Sequence, residues 1–426
     1  MAGPRMDIAM VSEHASPLAT LGGVDAGGQN VHVAMLSRAL ADRGHRVTVY
    51  TRRDDPTLPR RVQFVPGVVV EHLDAGPPAP LPKDDLWPHV AELATSLRSA
   101  LTEAPPSVVH GHFWMSGKAA IDATSGLGIP VVQTFHALGV VKRRWQGAAD
   151  TSPAPRIRVE TAVAREAAAV LATCADEVAE LAALGVDPRH VTVVPSGVDT
   201  DSFTPDGPTA ARSGAHRLLM IGRLVPRKGL GDVLAALVDV PDAELVVVGG
   251  PAADQLGSDP SAAAALERAA CLGVADRVRL VGRADRSEVS AWIRSSDLVV
   301  CAPWYEPFGI VPLEAMACGV PVVGTAVGGL IDTVVPGRTG LLVPPRCPDQ
   351  LSAALRSLLG DPERRARMGA AGRTRVVSAY DWREVARKTE VTYRRIVRAA
   401  NPRSANPRSV GSRSVGPRSV GRAVAP

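Results

Sequence analysis

No CxxC pair occurs in the 426 residues, and the five cysteines (Cys174, Cys271, Cys301, Cys318, Cys347) are scattered and odd in number. That excludes a disulfide framework and a cysteine-built zinc site. The expectation is a cytoplasmic protein with reduced thiols. No apolar run reaches the roughly 18 residues that a membrane-spanning helix needs. The opening stretch Met6-Asp7-Ile8-Ala9-Met10-Val11 is too short for a signal peptide and leads into polar Ser12-Glu13-His14. There is no GxGxxG, and no acid closes the run Tyr50-Thr51-Arg52, which argues against a dinucleotide cofactor. A real charge excess is also missing. The formal net charge is +5, but residues 401–426 hold five arginines (Arg403, Arg408, Arg413, Arg418, Arg422) and no acid, which leaves the body neutral. A neutral body does not support nucleic-acid binding as the main function. The tail repeats Arg-Ser-Val-Gly, has no aromatic residue and reads as a disordered extension.

What is present describes a soluble globular chain, 46% hydrophobic and 21% charged, long enough for two domains. Short β-branched runs alternate with amphipathic stretches. Strands are expected at 8–12, 47–50, 68–73, 108–110, 131–134, 170–172 and 191–194, with helices at 29–43, 86–102, 119–125, 156–168 and 175–184. A Pro/Gly-rich linker at 195–214 follows, and then the pattern restarts. The second series places strands at 217–221, 244–248, 278–280, 298–301, 322–325 and 341–343. Nearly continuous apolar strands, each followed by a helix, indicate parallel sheets covered on both faces. The expected fold class is α/β, with two doubly wound, Rossmann-like domains at 1–196 and 214–379. The cleft between them is the default ligand site.

The chemistry-bearing residues fall at strand-to-helix turns. In Glu306-Pro-Phe-Gly-Ile-Val-Pro-Leu-Glu314, two carboxylates stand eight positions apart. Between them, the N–H groups of Phe308, Gly309, Ile310 and Val311 open a helix, and free N–H groups at a helix start suit phosphate. Ionised carboxylates accept from sugar hydroxyls. Together they describe a pocket for a nucleotide-activated sugar, against the plainer reading of a buried loop. Gly22-Gly23-Val24-Asp25-Ala26-Gly27-Gly28-Gln29-Asn30 is a glycine loop entering a helix start, a second place for phosphate. Gly222-Arg223-Leu224-Val225-Pro226-Arg227-Lys228 follows a strand, and Arg223 with Lys228 can neutralise a pyrophosphate. Gly249 ends another strand where a side chain would block access. His110, His112 and His136 lie near strand ends, but their spacing matches no zinc pattern.

These motifs together resemble the retaining, family-4 (glycogen-synthase-like) glycosyltransferases. Glu306 to Glu314 matches their EX₇E motif, with Gly222-Arg223…Lys228 and Gly27-Gly28 as the two phosphate turns. The resemblance covers nearly all of residues 6–400. It implies the GT-B fold, with a last helix at about 380–400 crossing back to the first domain. Asp25 to Val31, His110 to Trp114 and Phe135 to Gly139 look nearest to sucrose-phosphate-synthase-like and mycothiol-pathway, inositol-phosphate-using enzymes. By that resemblance Glu314 binds the nucleotide ribose and Glu306 the transferred sugar. Arg223 and Lys228 hold the donor phosphates, with N–H groups at Gly28, Ile310 and Val311. His136 contacts the donor sugar near the reaction centre. Lys83, Arg156 and His112 fall on the acceptor side. Phe113 stands where those enzymes carry tyrosine, and Ala137 where they carry threonine.

The implied activity is transfer of a hexosyl-type group, with retention, from a nucleotide-diphosphate sugar to a small, possibly phosphorylated acceptor. No metal or other cofactor is expected, because Arg223 and Lys228 take the phosphate charge. Three rivals use other chemistry. A glycosidase would use the two glutamates as acid and nucleophile and need no nucleotide. A same-fold nucleotide-sugar epimerase would turn over donor without acceptor. A non-catalytic nucleotide-sugar-binding regulator would release no nucleoside diphosphate.

Overall fold

A computed structural model describes residues 4–19, 27–212 and 216–400. The glycine-loop residues 22–26 and the tail at 401–426 lie outside the described residues.

The first half builds an eight-stranded sheet from β1 (Asp7–Val11), β2 (Arg46–Arg52), β3 (Arg61–Val65), β4 (Val68–Leu73), β5 (Val108–His112), β6 (Val131–Thr134), β7 (Ala169–Ala172) and β8 (Val191–Val193). Its helices are α1 (Gly28–Asp42), α2 (Val90–Glu103), α3 (Trp114–Thr124), α4 (Gly139–Gln146), α5 (Arg156–Glu166) and α6 (Ala175–Ala183). The strand order is β3-β4-β2-β1-β5-β6-β7-β8, parallel except for β3, which runs antiparallel to β4.

The second half builds a six-stranded parallel sheet from β9 (His216–Ile221), β10 (Ala243–Val248), β11 (Val278–Gly282), β12 (Leu298–Cys301), β13 (Val322–Thr325) and β14 (Gly340–Val343), ordered β11-β10-β9-β12-β13-β14. With it come α7 (Leu230–Val238), α8 (Pro260–Cys271), α9 (Arg286–Arg294), α10 (Ile310–Ala317), α11 (Gly329–Thr333), α12 (Pro348–Leu359) and α13 (Pro362–Ala379). The last helix, α14 (Trp382–Ala400), follows directly.

Local chemistry sets these elements. β10 reads Ala-Glu-Leu-Val-Val-Val and its last four residues are buried, as a strand covered on both faces requires. Asp259, Asp285 and Asp361 each accept a backbone N–H at a helix start, and Pro260 and Pro362 follow at the first helical position, where a missing N–H costs nothing. The polar face of α14 hides a strong apolar stripe. Trp382, Val385, Ala386, Tyr393 and Ile396 join the first sheet's core, beside Val33, Leu36 and Leu40 of α1. Each large side chain buried this way contributes roughly 1.5–3 kcal/mol. The chain therefore returns to its first sheet, and the crossover ties the two halves together.

Five elements depart from expectation. β3 is an antiparallel edge strand joined to β4 at Pro66-Gly67, and the reading from apolar runs passed over it because its residues are mostly half-exposed. The short helices α4 and α11 are new. The helix expected at 119–125 begins earlier, at Trp114, because Trp114 and Met115 are buried. The stretch 86–102 opens as a 3-10 turn over Lys83–His89, with Pro88 inside it, before α2 begins.

Candidate active site

In the first sheet the strand order reverses between β1 and β5, and in the second between β9 and β12. Open α/β sheets hold ligands beyond the strand ends at such reversals. The turns after β1, β5, β9 and β12 meet at one cleft, a cavity of about 530 Å³. The first half contributes Gly27, Gly28, Lys83, Phe113, His136 and Arg156, and the second Gly222, Arg223, Lys228, Glu306 and the run Phe308 to Val311. A methyl group placed on Gly28 would stand 3.3 Å from Ile310 Cδ1 and 3.5 Å from Phe308 Cδ2. The N-terminus of α1 and that of α10 thus converge from opposite walls, and two positive helix ends face one space.

On the second wall, Lys228 donates to Glu306 as an ion pair. Burial would raise the Glu306 carboxyl, but the charge and hydrogen bond of Lys228, the charge of Arg227 and the Phe308 N–H outweigh it and hold it below the usual range. Glu314, one helical face further on, is in the opposite state. It is 8% exposed, and no hydrogen bond or ion pair reaches its carboxylate among the described residues. Burial raises it to about 7, offset in part by Arg286. Glu314 itself is not in the cavity lining, although its helix neighbours Ile310, Val311 and Pro312 are, and once ionised a carboxylate without protein donors suits hydroxyls brought by a ligand.

Gly249 is not on the cleft wall. It stands behind the Arg223 turn, where an added Cβ would lie 2.4 Å from the Gly222 carbonyl oxygen at a φ of +121. The role assigned to it shifts from ligand access to close packing of one turn on another. Gly249→Ala is expected to push the 222–228 turn outward. The Michaelis constant for the donor should rise about tenfold, as a roughly 1 Å displacement can cost that or more. Steady-state kinetics on a folded variant with an unchanged donor constant would overturn this.

On the first wall two non-glycine residues hold left-handed backbone, Phe113 at φ 83 and His136 at φ 64. Strain of this kind costs about 1–3 kcal/mol per residue and clusters where a side chain must be aimed. Both side chains line the cleft. His112 does not. It is fully buried behind His136, with Nδ1 3.0 Å from His136 Nε2. Its neighbour His110 meets Tyr393 of α14 at 2.6 Å and Thr134 at 2.9 Å. Burial pulls His110 down to about 3 and His32 to about 4, and His112 and His136 fall well below the ordinary value for the same reason. These imidazoles are neutral at physiological pH, so His112 supports His136 and adds no cation to the acceptor side.

Lys83 and Arg156 flank the Phe113 ring, at 5.3 and 5.1 Å from its centroid. Arg156 is buried and committed to the protein: to Glu160 at 2.7 Å, Ser152 at 3.1 Å and the Ala137 carbonyl at 2.7 Å. Between the two halves, the Ala175 N–H at the start of α6 donates to Asp332 of α11 at 2.6 Å. Tyr305 packs into the first half's core, so the loop carrying Glu306 is held by both halves.

Residues 26–202 match the family described as Glycosyltransferase Family 4, and residues 206–375 match Glycosyl transferases group 1. A D-inositol 3-phosphate glycosyltransferase of Catenulispora acidiphila is 36% identical, over 92% of this chain and 95% of that one. The chain belongs to the family-4, group 1 glycosyltransferases. The sucrose-phosphate synthase of Thermosynechococcus elongatus superposes with a TM-score of 0.83 at 30% identity, covering 93% of this chain and all of that one. Anabaena HepE, solved with UDP-glucose, shares the fold with a TM-score of 0.71 at 19% identity, covering 92% and 100%. The architecture is GT-B, and the enzyme moves a glycosyl group from a nucleotide sugar with retention.

The cleft of this glycosyltransferase also holds residues to which the motifs assign no role. Arg227 lines the cavity and lowers Glu306, and its place beside Lys228 was the available signal. Lys142, Trp145 and Trp304 also line it, and nothing in their spacing marks them. The described residues contain no helix long and apolar enough to cross a membrane.

Proposed function

We propose that this enzyme transfers a hexosyl group from a uridine diphosphate sugar to a small phosphorylated polyol of the inositol phosphate kind, without a metal ion. One observation carries the donor side: a buried carboxyl without a protein partner, Glu314, on the helix α10 whose start lines the cavity together with the Lys228–Glu306 pair. In this reading Glu314 accepts from the ribose hydroxyls and Glu306 from those of the sugar. Arg223 and Lys228 take the diphosphate, with N–H groups at Gly28, Ile310 and Val311. His136 rests against the sugar, with Phe308 5.2 Å from its ring. The activities of the D-inositol 3-phosphate glycosyltransferases and the UDP-glucose bound by HepE support the choice of substrates.

In the reaction an acceptor hydroxyl oxygen forms a bond to the anomeric carbon on the face from which the diphosphate leaves. The anomeric C–O bond breaks with its electron pair passing to the β-phosphate, and the hydroxyl proton goes to that phosphate oxygen. Charge grows on the leaving phosphate, so preorganised donors there act chiefly in the transition state. The same reading puts the protein in the cytoplasm, where its five unpaired thiols stay reduced.

The test is nucleoside diphosphate release over a panel of nucleotide sugars, with inositol 3-phosphate as acceptor and with a chelator present. Release that needs acceptor and ignores the chelator is expected. Donor turnover without acceptor would favour the epimerase. Binding with no release would favour the regulator, and loss of activity on chelation would sink the metal-free reading.

A further inference from the structure

Two cations on the acceptor side of the cleft are held close to acids. Arg156 faces Glu160, and Lys142 lies 3.1 Å from Asp150 and 3.7 Å from Asp84. A phosphate dianion arriving there would gain from a further cation that no acid neutralises. The second half offers one at the cleft's edge, exposed and outside the cavity lining itself. Arg346, just past β14, keeps a left-handed backbone at φ 59, uncommon and costly for a residue with a side chain. That backbone sets its guanidinium 4.0 Å from the ring centroid of Trp304 and 6.0 Å from that of Trp145. Trp304 is fixed in turn by its N–H to the Arg227 carbonyl at 2.9 Å and its indole N–H to Asp232 at 3.4 Å. The two tryptophans belong to opposite walls, and both line the cavity. Trp145 stands three residues after Lys142, on the same face of α4. No hydrogen bond or ion pair reaches Arg346 among the described residues. A guanidinium stacked on an indole keeps its N–H edge free and oriented, the arrangement that suits bidentate contact with a phosphate.

We propose that Arg346 reaches from the second half across the cleft to hold the acceptor's phosphate, and so sets the preference for a phosphorylated acceptor. This rests on the acceptor reading above. The experiment compares inositol 3-phosphate with inositol in the wild type, Arg346→Ala and Arg346→Lys. In Arg346→Ala the Michaelis constant for inositol 3-phosphate should rise at least about tenfold. The constants for the donor and for inositol should stay put, so discrimination between the acceptors collapses. Arg346→Lys keeps the charge without the planar fork and should fall between. Equal losses with both acceptors would make Arg346 a strut between the walls and overturn the proposal, as would no loss at all. A wild type that uses both acceptors alike, or neither, would overturn the acceptor reading itself and this inference with it. Preserved wild-type preference with an unaffected variant would sink the inference alone.

Discussion

Lys228→Ala should cut turnover by about 10²-fold or more, the scale seen when one preorganised donor to a developing anion is lost. It should also move the acidic limb of the pH profile upward. Both effects come from the Lys228–Glu306 pair. Burial acts to raise Glu306, and Lys228 is first among the groups that reverse it. Without the ammonium, burial prevails, and Glu306 keeps its proton to a higher pH. A protonated Glu306 loses acceptor capacity for sugar hydroxyls, so activity fades at a higher pH than in the wild type. The stability sign agrees. A carboxylate held low in the folded state adds stability that is present above its unfolded value and lost as pH falls through its lowered one. The variant lacks that contribution. Turnover against pH, with melting temperature at each pH, is the measurement. An unmoved acidic limb would show that Lys228 does not control Glu306. Arg223→Ala should lower turnover on a similar scale by removing the second cation from the phosphates.

The strands of both sheets were legible because a parallel sheet covered on both faces leaves uninterrupted apolar runs, as in Leu245-Val246-Val247-Val248. The turns carrying function were legible because glycine, arginine and glutamate have little reason to gather at strand ends unless a ligand or tight packing requires them. Which of the two applied was not legible. Gly249 and Gly222 look alike in sequence, yet one packs behind the other. His112 shows the same limit. Strand alternation puts His110 and His112 on one face of β5, but not whether that face is cleft or core. The pairing of Arg156 is legible, since Glu160 follows at i+4 and such a spacing predicts an ion pair. The contact of Arg346 with two tryptophans joins residues about 200 and 40 positions away, and no local pattern encodes it.

Glu314→Gln should make the enzyme bind nucleoside diphosphate worse and, above neutral pH, fold better. Burial raises the Glu314 carboxyl from its ordinary 4.5 to about 7. The native state therefore keeps this proton where the unfolded chain has lost it, between pH 4.5 and about 7. Stability falls across that window as pH rises, because the folded state binds more protons than the unfolded one. Above it the full cost remains, on the order of 3 kcal/mol at about 1.4 kcal/mol per unit. Glutamine carries no proton to lose, so the variant's melting temperature should gain on the wild type's from pH 5 to 8. Binding runs the other way. Ribose hydroxyls donate to the ionised carboxylate, so wild-type affinity should climb through about pH 7, with a proton released on binding. Hydrogen bonds to a charged group contribute about 1.5–3 kcal/mol, so the variant should bind roughly 10- to 100-fold more weakly at pH 8. Its affinity should hardly change with pH. Calorimetric titration in buffers of different ionisation enthalpy reads both the affinity and the released proton. If the variant keeps the wild-type affinity and its slope with pH, Glu314 is a buried packing residue and the ribose contact lies elsewhere in the cleft.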